Sequence, residues 1–438
     1  MNLKNRKWLV AELPGLVEEG VLSESYAAAL RAHYEPSEVG KSVSPAFVIC
    51  GVLGALLIGG GIILLFGHNW NELSRPFRTV LSLLPLLLSQ AAGAWGLWRG
   101  WTSRAWREPV ALFISLAAAS SIALIGQTYH IPGDLTAFLL VWMLLTLPLV
   151  YLFRAVTPAL IYLAGITAWA ASSRYDGGSS LPFWLLYGGL FPFAWRALRD
   201  QRFSSASAVL GWGLCAQSAW IGVLLERSVP GLWIIVYAGV FALLYLVGSY
   251  AYAEAPSGWS NPFSTVGAAG SAVLALVLTN EWAWKSIGWH HLRDGADGSQ
   301  AAFWVDLVLV LAVPAAALVL LVTSVRRGQP WRIPAGVAPV VAVVGYVVAA
   351  AYDQEWAAML LFNLYVFAFG LAFVIQGVRE RRLVTMNGGM AVLSALLLLR
   401  FFDDAMSMAV RGVVFILLGG GFLAANWMLI RRGRNERW

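Results

Sequence analysis

The chain has 438 residues, 59% of them hydrophobic and 12% charged, with a mean hydropathy of +0.70. Soluble domains carry about 25% charged residues, so this composition excludes a water-soluble globule and belongs to the bilayer. The net charge of +7 does not point to nucleic acid, because the arginines are scattered over short loops and not gathered on one soluble domain.

Residues 1–44 are polar and read as a short cytoplasmic helical hairpin. Trp8, Leu9, Leu13, Leu16 and Val17 recur at helical spacing, Gly20 is the expected stop, and Ser23 can cap a second helix over 24–34. This stretch shows no n-region and h-region of a cleavable signal, so the first span is expected to serve as the targeting signal. The hairpin is the expected docking arm for other membrane proteins. Membrane lipids are the other expected partners, and nucleic acid is not one.

From Pro45 onward fourteen apolar segments approach the ~20 residues needed to cross a hydrocarbon core of ~30 Å. They run over 45–67, 77–98, 109–127, 135–153, 155–172, 181–198, 205–225, 230–252, 262–280, 301–324, 333–352, 356–377, 384–402 and 410–430. The expected fold is therefore all-α, a polytopic transmembrane helix bundle of about fourteen spans. It divides into the hairpin (1–44), the transmembrane domain (45–430) and a basic cytoplasmic tail (431–438). The fourth and fifth segments touch at Arg154, and the sixth and thirteenth are short, which leaves twelve spans as the alternative.

With the N-terminus inside and fourteen spans, cytoplasmic segments hold 22 of the 30 Lys and Arg residues. That alternation follows the positive-inside rule and places both termini on the cytoplasmic side. Cys50 and Cys215 lie within apolar segments and match no metal spacing, so they read as buried free thiols. Neither a metal nor a cofactor is expected.

The stretch Ser115–Asp134, SLAAASSIALIGQTYHIPGD, organises the polar residues. Helical spacing puts Ala117, Ser120, Ser121, Leu124 and Gln127 on one stripe that leads to Gln127, Tyr129, His130 and Asp134. Pro132 and Gly133 break the helix there, on the outer face in this topology. The same face receives the end of the thirteenth segment, with Arg400, Asp403 and Asp404. These seven residues are the candidate polar site. An imidazole among carboxylates suits general acid–base work or proton relay, and Arg400 shared with Asp134 would explain an arginine on the side with few positive charges, with local pairing of Arg400 and Asp404 as the rival explanation.

Ionisable and amide groups inside hydrocarbon are costly and functional by default. Asp306, Asn363 and Asn387 form the candidate intramembrane pathway, and Gln90, Gln127 and Gln217 are read as interhelical hydrogen-bonding amides. Nothing at neighbouring helical positions can pair with Asp306, so its partner is expected from another helix or water. The longest outer connection, 281–300, carries Trp282, Trp284 and Trp289 and is expected to lie at the membrane interface. Three glycines followed by Asn-Trp recur at Gly59–Gly61 with Asn69-Trp70 and at Gly419–Gly421 with Asn426-Trp427, a weak echo of an inverted repeat.

GQTYHIPGD, Trp142 and LPLV at 147–150, together with EEGVLSESYAAAL near the N-terminus, resemble the bacterial family called domain of unknown function 2157. The likeness is firmest over 10–150 and returns near 360–430, where RFFDD and RGVVFILLGGGFL resemble the family's ending. It implies a bacterial integral membrane protein and no activity; the expected location is the bacterial plasma membrane. The chain has no P-loop, G-x-S-x-G, H-E-x-x-H or CxxC motif. Three readings remain open: transport or flipping of a small solute or lipid-linked molecule, a structural or regulatory membrane subunit, and a membrane enzyme with an outward-facing His/Asp site.

Overall fold

A computed structural model describes residues 3–34, 70–175, 180–225, 231–285, 300–352 and 354–401, with single positions at 412, 416, 419, 420 and 423. Among these residues there are helices and turns and no strand. The chain divides into two compact units, Met1–Arg78 and Thr79–Trp438.

In the first unit, α1 (Leu3–Glu18) and α2 (Glu24–Tyr34) pack on each other as a hairpin. Gly20 makes the turn with a φ of 73°, a left-handed conformation that strains any side chain. The Gly20 and Val21 N–H groups return to the carbonyls of Val17 and Leu16 at 3.1 and 3.0 Å, which closes the end of α1. Leu13 and Ala27 are buried. The Ser23 hydroxyl, expected to cap α2, pairs instead with the Ser25 hydroxyl at 3.0 Å. At the end of the unit the Arg78 guanidinium lies 5.9 Å from the Trp70 ring centroid, and its Nε donates to the Leu73 carbonyl at 2.9 Å.

Helix α3 (Arg75–Trp98) carries the chain into the second unit. It is followed by α4 (Arg104–Tyr129), α5 (Leu135–Phe153), α6 (Val156–Tyr175), α7 (Leu181–Asp200), α8 (Ser205–Leu225) and α9 (Trp233–Ala251). Then come α10 (Pro262–Val277), α11 (Gln300–Arg326), α12 (Ala338–Tyr352), α13 (Glu355–Glu380) and α14 (Leu383–Phe401). Twelve of the fourteen expected segments coincide with these helices. The first segment lies outside the described residues, as do the last, apart from single positions, and the Gly-Gly-Gly…Asn-Trp echo.

Among the described residues ten stretches are long and apolar enough to span a membrane: α3 to α6, α8, α9, α11, α13, α14 and Pro330–Ala350, which takes in most of α12. That is four fewer than expected. The two terminal segments account for part of the difference, and α10 is short. Helix α7 carries Arg196, Arg199 and Asp200 near its C-terminus.

Local chemistry sets several helix starts. The Asn261 side chain accepts from the Ser264 N–H at 3.0 Å, and Pro262 occupies the first turn of α10, where its missing N–H costs nothing. Small residues set the closest helix pairs. A Cβ on Gly267 of α10 would collide with the backbone of Tyr245 in α9, and one on Gly377 of α13 with the backbone of Met386 in α14. Glycine at such crossings lets backbones approach where lipid offers no hydrophobic drive between helices.

Two large apolar clusters result. One joins α9 to α14 around Tyr245, Trp284, Phe362 and Phe369; the other joins α5 to α8 around Met143, Tyr162, Phe183 and Leu190. Trp284 is fully buried, its indole N–H donating to the Leu278 carbonyl at 2.9 Å and its ring 5.5 Å from Phe362. The interfacial position expected for it is therefore corrected. Once a main-chain acceptor satisfies the indole N–H, the ring gains more from core packing than from a headgroup. Trp282 is exposed, and Trp289 lies outside the described residues.

Candidate functional site

The corner between α4 and α5 is built by its own local bonds. His130 ends α4 with a φ of 54°, and its Nδ1 lies 3.0 Å from the Gln127 carbonyl. Asp134 caps α5 by accepting the Ala137 N–H at 2.6 Å. The Tyr129 hydroxyl pairs with the Thr79 hydroxyl at 2.9 Å. The buried residues of α4 are Ala111, Ile114, Ser115, Ala117, Ala118, Ser121 and Thr128. Of the stripe expected from sequence, Ala117 and Ser121 are buried, while Ser120 and Gln127 are exposed.

That buried face holds the helices together through hydroxyls. Ser121 donates to the Ser82 carbonyl of α3 at 2.7 Å, and Ser115 pairs with Thr146 of α5 at 2.8 Å. Trp142 adds its indole N–H to the Ser115 carbonyl at 2.9 Å.

Arg400, the other half of the expected cluster, turns to a different element: its guanidinium donates to the Thr279 carbonyl just past α10. Asp403 and Asp404 lie outside the described residues. Thus Asp134 caps its own helix, and Arg400 bonds to a main-chain acceptor.

Of the intramembrane residues, Asp306 is fully buried. Its Oδ2 accepts from the Ser180 hydroxyl at 2.7 Å and its Oδ1 from the Trp184 indole N–H at 2.8 Å. Both donors belong to the start of α7, so the partner does come from another helix. Asn363 returns its amide to the Met359 carbonyl of its own helix at 2.8 Å, and Asn387 is exposed. Gln217 of α8 accepts from the Thr167 hydroxyl of α6, the interhelical bond expected of it, while its Nε2 is buried without a partner among the described residues. Gln90 is exposed.

Beside the Asp306 clamp runs an apolar cavity of about 390 Å³ between α7, α8, α9 and α11. Its walls include Trp184, Tyr187, Leu190, Phe191, Trp195, Leu225, Val240 and Val313. The one hydroxyl of small size in the wall, Ser218, is spent on the Cys215 carbonyl at 2.6 Å. Among the described residues no charged side chain lines the cavity.

At the other end of α7 a second, polar pocket of about 530 Å³ is lined by Arg104, Arg107, Glu108, Arg154, Arg196 and Asp200. Glu108 accepts from the Val156 and Thr157 N–H groups at 2.9 and 2.7 Å, so its carboxylate caps α6. Sequence reading counted these arginines only as topology signals, because three separate helix ends supply them.

A buried arginine was also missed. Arg332 donates to the Ser324 hydroxyl at 3.1 Å and to the Ser249 carbonyl at 2.5 Å, with its guanidinium 5.7 Å from the Tyr250 ring centroid. No carboxylate pairs with it among the described residues. Among the described residues no group of three metal-ligating side chains occurs.

Long apolar helices, glycine-mediated crossings and hydroxyls spent on main-chain acceptors define a multi-pass, all-helical membrane protein. Within that class, residues 14–159 match the family model described as predicted membrane protein (DUF2157). The match covers the region where the sequence resemblance is firmest and does not extend to 360–430. No curated protein and no solved structure matches the chain.

Proposed function

We propose that the protein binds lipid-like amphiphiles within the bilayer and moves them between leaflets. The observation that carries this reading is the apolar cavity along α7, walled also by α8, α9 and α11, each long and apolar enough to span the membrane. A cavity of this size lies in the range of small-molecule sites, and its almost wholly apolar walls suit a hydrocarbon chain. A polar solute finds less support. Asp306 is occupied by Ser180 and Trp184, and Asn363 by its own helix, so neither offers a hydrated step. The catalytic reading of His130 and Asp134 loses support for the same reason, since both groups serve helix ends.

We further infer that the protein resides in a bacterial plasma membrane with both termini cytoplasmic, supported by the uneven distribution of Lys and Arg. In that orientation the arginine-lined pocket faces the cytoplasm, the Asp306 clamp lies toward the outer leaflet, and the N-terminal hairpin is available to partner membrane proteins.

The test is lipid scrambling in proteoliposomes that hold a fluorescent phospholipid, with dithionite quenching from outside. Wild type should expose the inner-leaflet probe that protein-free vesicles protect. Ala194→Trp, which fills the cavity from α7, should restore most of that protection. A protected fraction equal to that of protein-free vesicles would rule the transport reading out.

A further inference from the structure

We infer that the pocket at the junction of α4, α5, α7 and α8 is a binding site for the phosphate of an anionic amphiphile. The inference rests on the lipid-handling reading and names the group that such a ligand would carry. Four guanidinium groups line the pocket against two carboxylates, a formal balance of +2. One of those carboxylates, Glu108, is engaged by two backbone N–H groups and offsets the positive end of α6.

The arginines are not equally committed. Arg104 donates to the Gln201 side chain, and Arg107 places its Nε on the Trp101 carbonyl at 3.3 Å. Arg154 and Arg196 are exposed and have no hydrogen bond or ion pair among the described residues. Two hydroxyls in the wall are already used, Tyr151 donating to the Gly189 carbonyl and Ser207 to the Ala197 carbonyl. Beside the Thr102 hydroxyl, what remains on offer to an anion is a pair of planar five-donor forks, the geometry that suits phosphate oxygens in two-point contacts.

The position fits an amphiphile. Phe193, Arg196 and Ala197 of α7 line the polar pocket, while Ala194, Trp195 and Leu198 of the same turns line the apolar cavity. A phosphate held by Arg154 and Arg196 therefore has a hydrocarbon-compatible surface one helix face away. Basic pockets between the ends of spanning helices are suited to anionic headgroups. The same donors would also take a soluble phosphate, so the source must be decided by experiment.

Arg154 supplies a substitution that separates binding from folding. It closes α5 with a φ of 50°, where glycine is the favoured residue. Arg154→Gly removes the guanidinium and relieves the backbone. The full-length protein in detergent is titrated with phosphatidylglycerol, with diacylglycerol of the same chains, and with inorganic phosphate, and binding is followed by tryptophan fluorescence and thermal midpoint.

Saturable binding of phosphatidylglycerol that exceeds diacylglycerol, and that weakens about tenfold in Arg154→Gly and in Arg196→Gln, supports a lipid source. Saturable binding of inorganic phosphate alone, with the same sensitivity to both variants, supports the phosphate site with a soluble source. Equal binding by wild type and both variants overturns the site. Scrambling by the wild type, measured separately, keeps the two proposals apart: scrambling without variant-sensitive phosphate binding removes only the site, and the reverse removes only the transport reading.

Discussion

The indole N–H of Trp184 donates to Oδ1 of Asp306 at 2.8 Å, across 122 residues of chain, and ties the start of α7 to the start of α11. The Ser180 hydroxyl completes the clamp on the other carboxylate oxygen. A buried donor left without an acceptor costs about 1–3 kcal/mol, so this arrangement is sensitive to which atoms are removed. Asp306→Leu strands both donors and should lower stability by about 2–5 kcal/mol, from two such groups together. Asp306→Asn can still accept from Trp184 while its amide donates to the Ser180 oxygen, because a hydroxyl serves either role. Thermal unfolding in detergent should therefore rank wild type close to Asp306→Asn, with Asp306→Leu well below. An equal loss in both variants would show that the negative charge itself is required.

Asp134 acts as a helix cap, and a cap needs an acceptor atom rather than a proton. Asp134→Asn and Asp134→Ser should keep the bond to the Ala137 N–H and the wild-type stability, while Asp134→Ala should lose about 0.5–2 kcal/mol. In the scrambling assay the Asn variant should match wild type at every pH from 6 to 8. Loss of activity in Asp134→Asn with stability retained would restore the acid–base reading of the α4–α5 corner.

Adjacent glycines on α14 make a paired test of helix packing. A Cβ at Gly389 would sit 2.6 Å from the Gly370 carbonyl oxygen and 2.7 Å from the Val374 nitrogen, whereas nothing lies within 4 Å of a Cβ at Gly388. Backbone cannot yield as a side-chain tip does, so Gly389→Ala should destabilise the α13–α14 pair by about 1–3 kcal/mol. Gly388→Ala should be neutral, or raise stability by up to ~1 kcal/mol through helix propensity. Similar midpoints for the two variants would show that α13 and α14 do not cross this closely.

Among the described residues Arg332 is held without a carboxylate, and its role is to satisfy neighbours. Arg332→Met retains much of the apolar stem yet withdraws the donor from the Ser249 carbonyl in the last turn of α9, as well as the cation above Tyr250. The expected cost is about 1–3 kcal/mol, seen as a lower unfolding midpoint. An unchanged midpoint would mean that water replaces the guanidinium at Ser249.

The proposed orientation is tested with single cysteines in a background lacking Cys50 and Cys215. Gly295→Cys should react with a membrane-impermeant maleimide in intact cells, and Ser37→Cys should react only after lysis. The opposite pattern would invert the topology and put the arginine-lined pocket on the outer side.

The location of the membrane-crossing stretches was legible in the sequence because it depends on a local property. A span must supply enough consecutive apolar residues, at 1.5 Å each, to cover the hydrocarbon core, and a window of neighbours reveals that directly. The hairpin turn at Gly20 and the break at Pro132-Gly133 were legible for a similar reason, since proline and glycine act on their own backbone. Which face of each helix points inward was not. In a soluble protein the polar face marks the outside, but here lipid and core are both apolar, so the pattern around a helix carries little contrast. The buried stripe of α4 accordingly includes Ser121 and Thr128 while Ser120 and Gln127 are exposed.

Partners distant in sequence were decided only by the tertiary structure. Asp306 announced that it needed a donor, but nothing local could say that Ser180 and Trp184 would provide one. Asp134 and Arg400 shared an expected side of the membrane, yet one found its acceptor role three residues away and the other a carbonyl just past α10. Trp284, whose type favours the interface, was drawn into the core by the Leu278 carbonyl. The arginine-lined pocket exists because the ends of α4, α5 and α7 meet, and each arginine taken alone signals only membrane topology. Length and apolarity thus determined that this chain crosses the bilayer many times, while the convergence of helix ends decided where its charges gather, because a charge is recognised by what surrounds it in space.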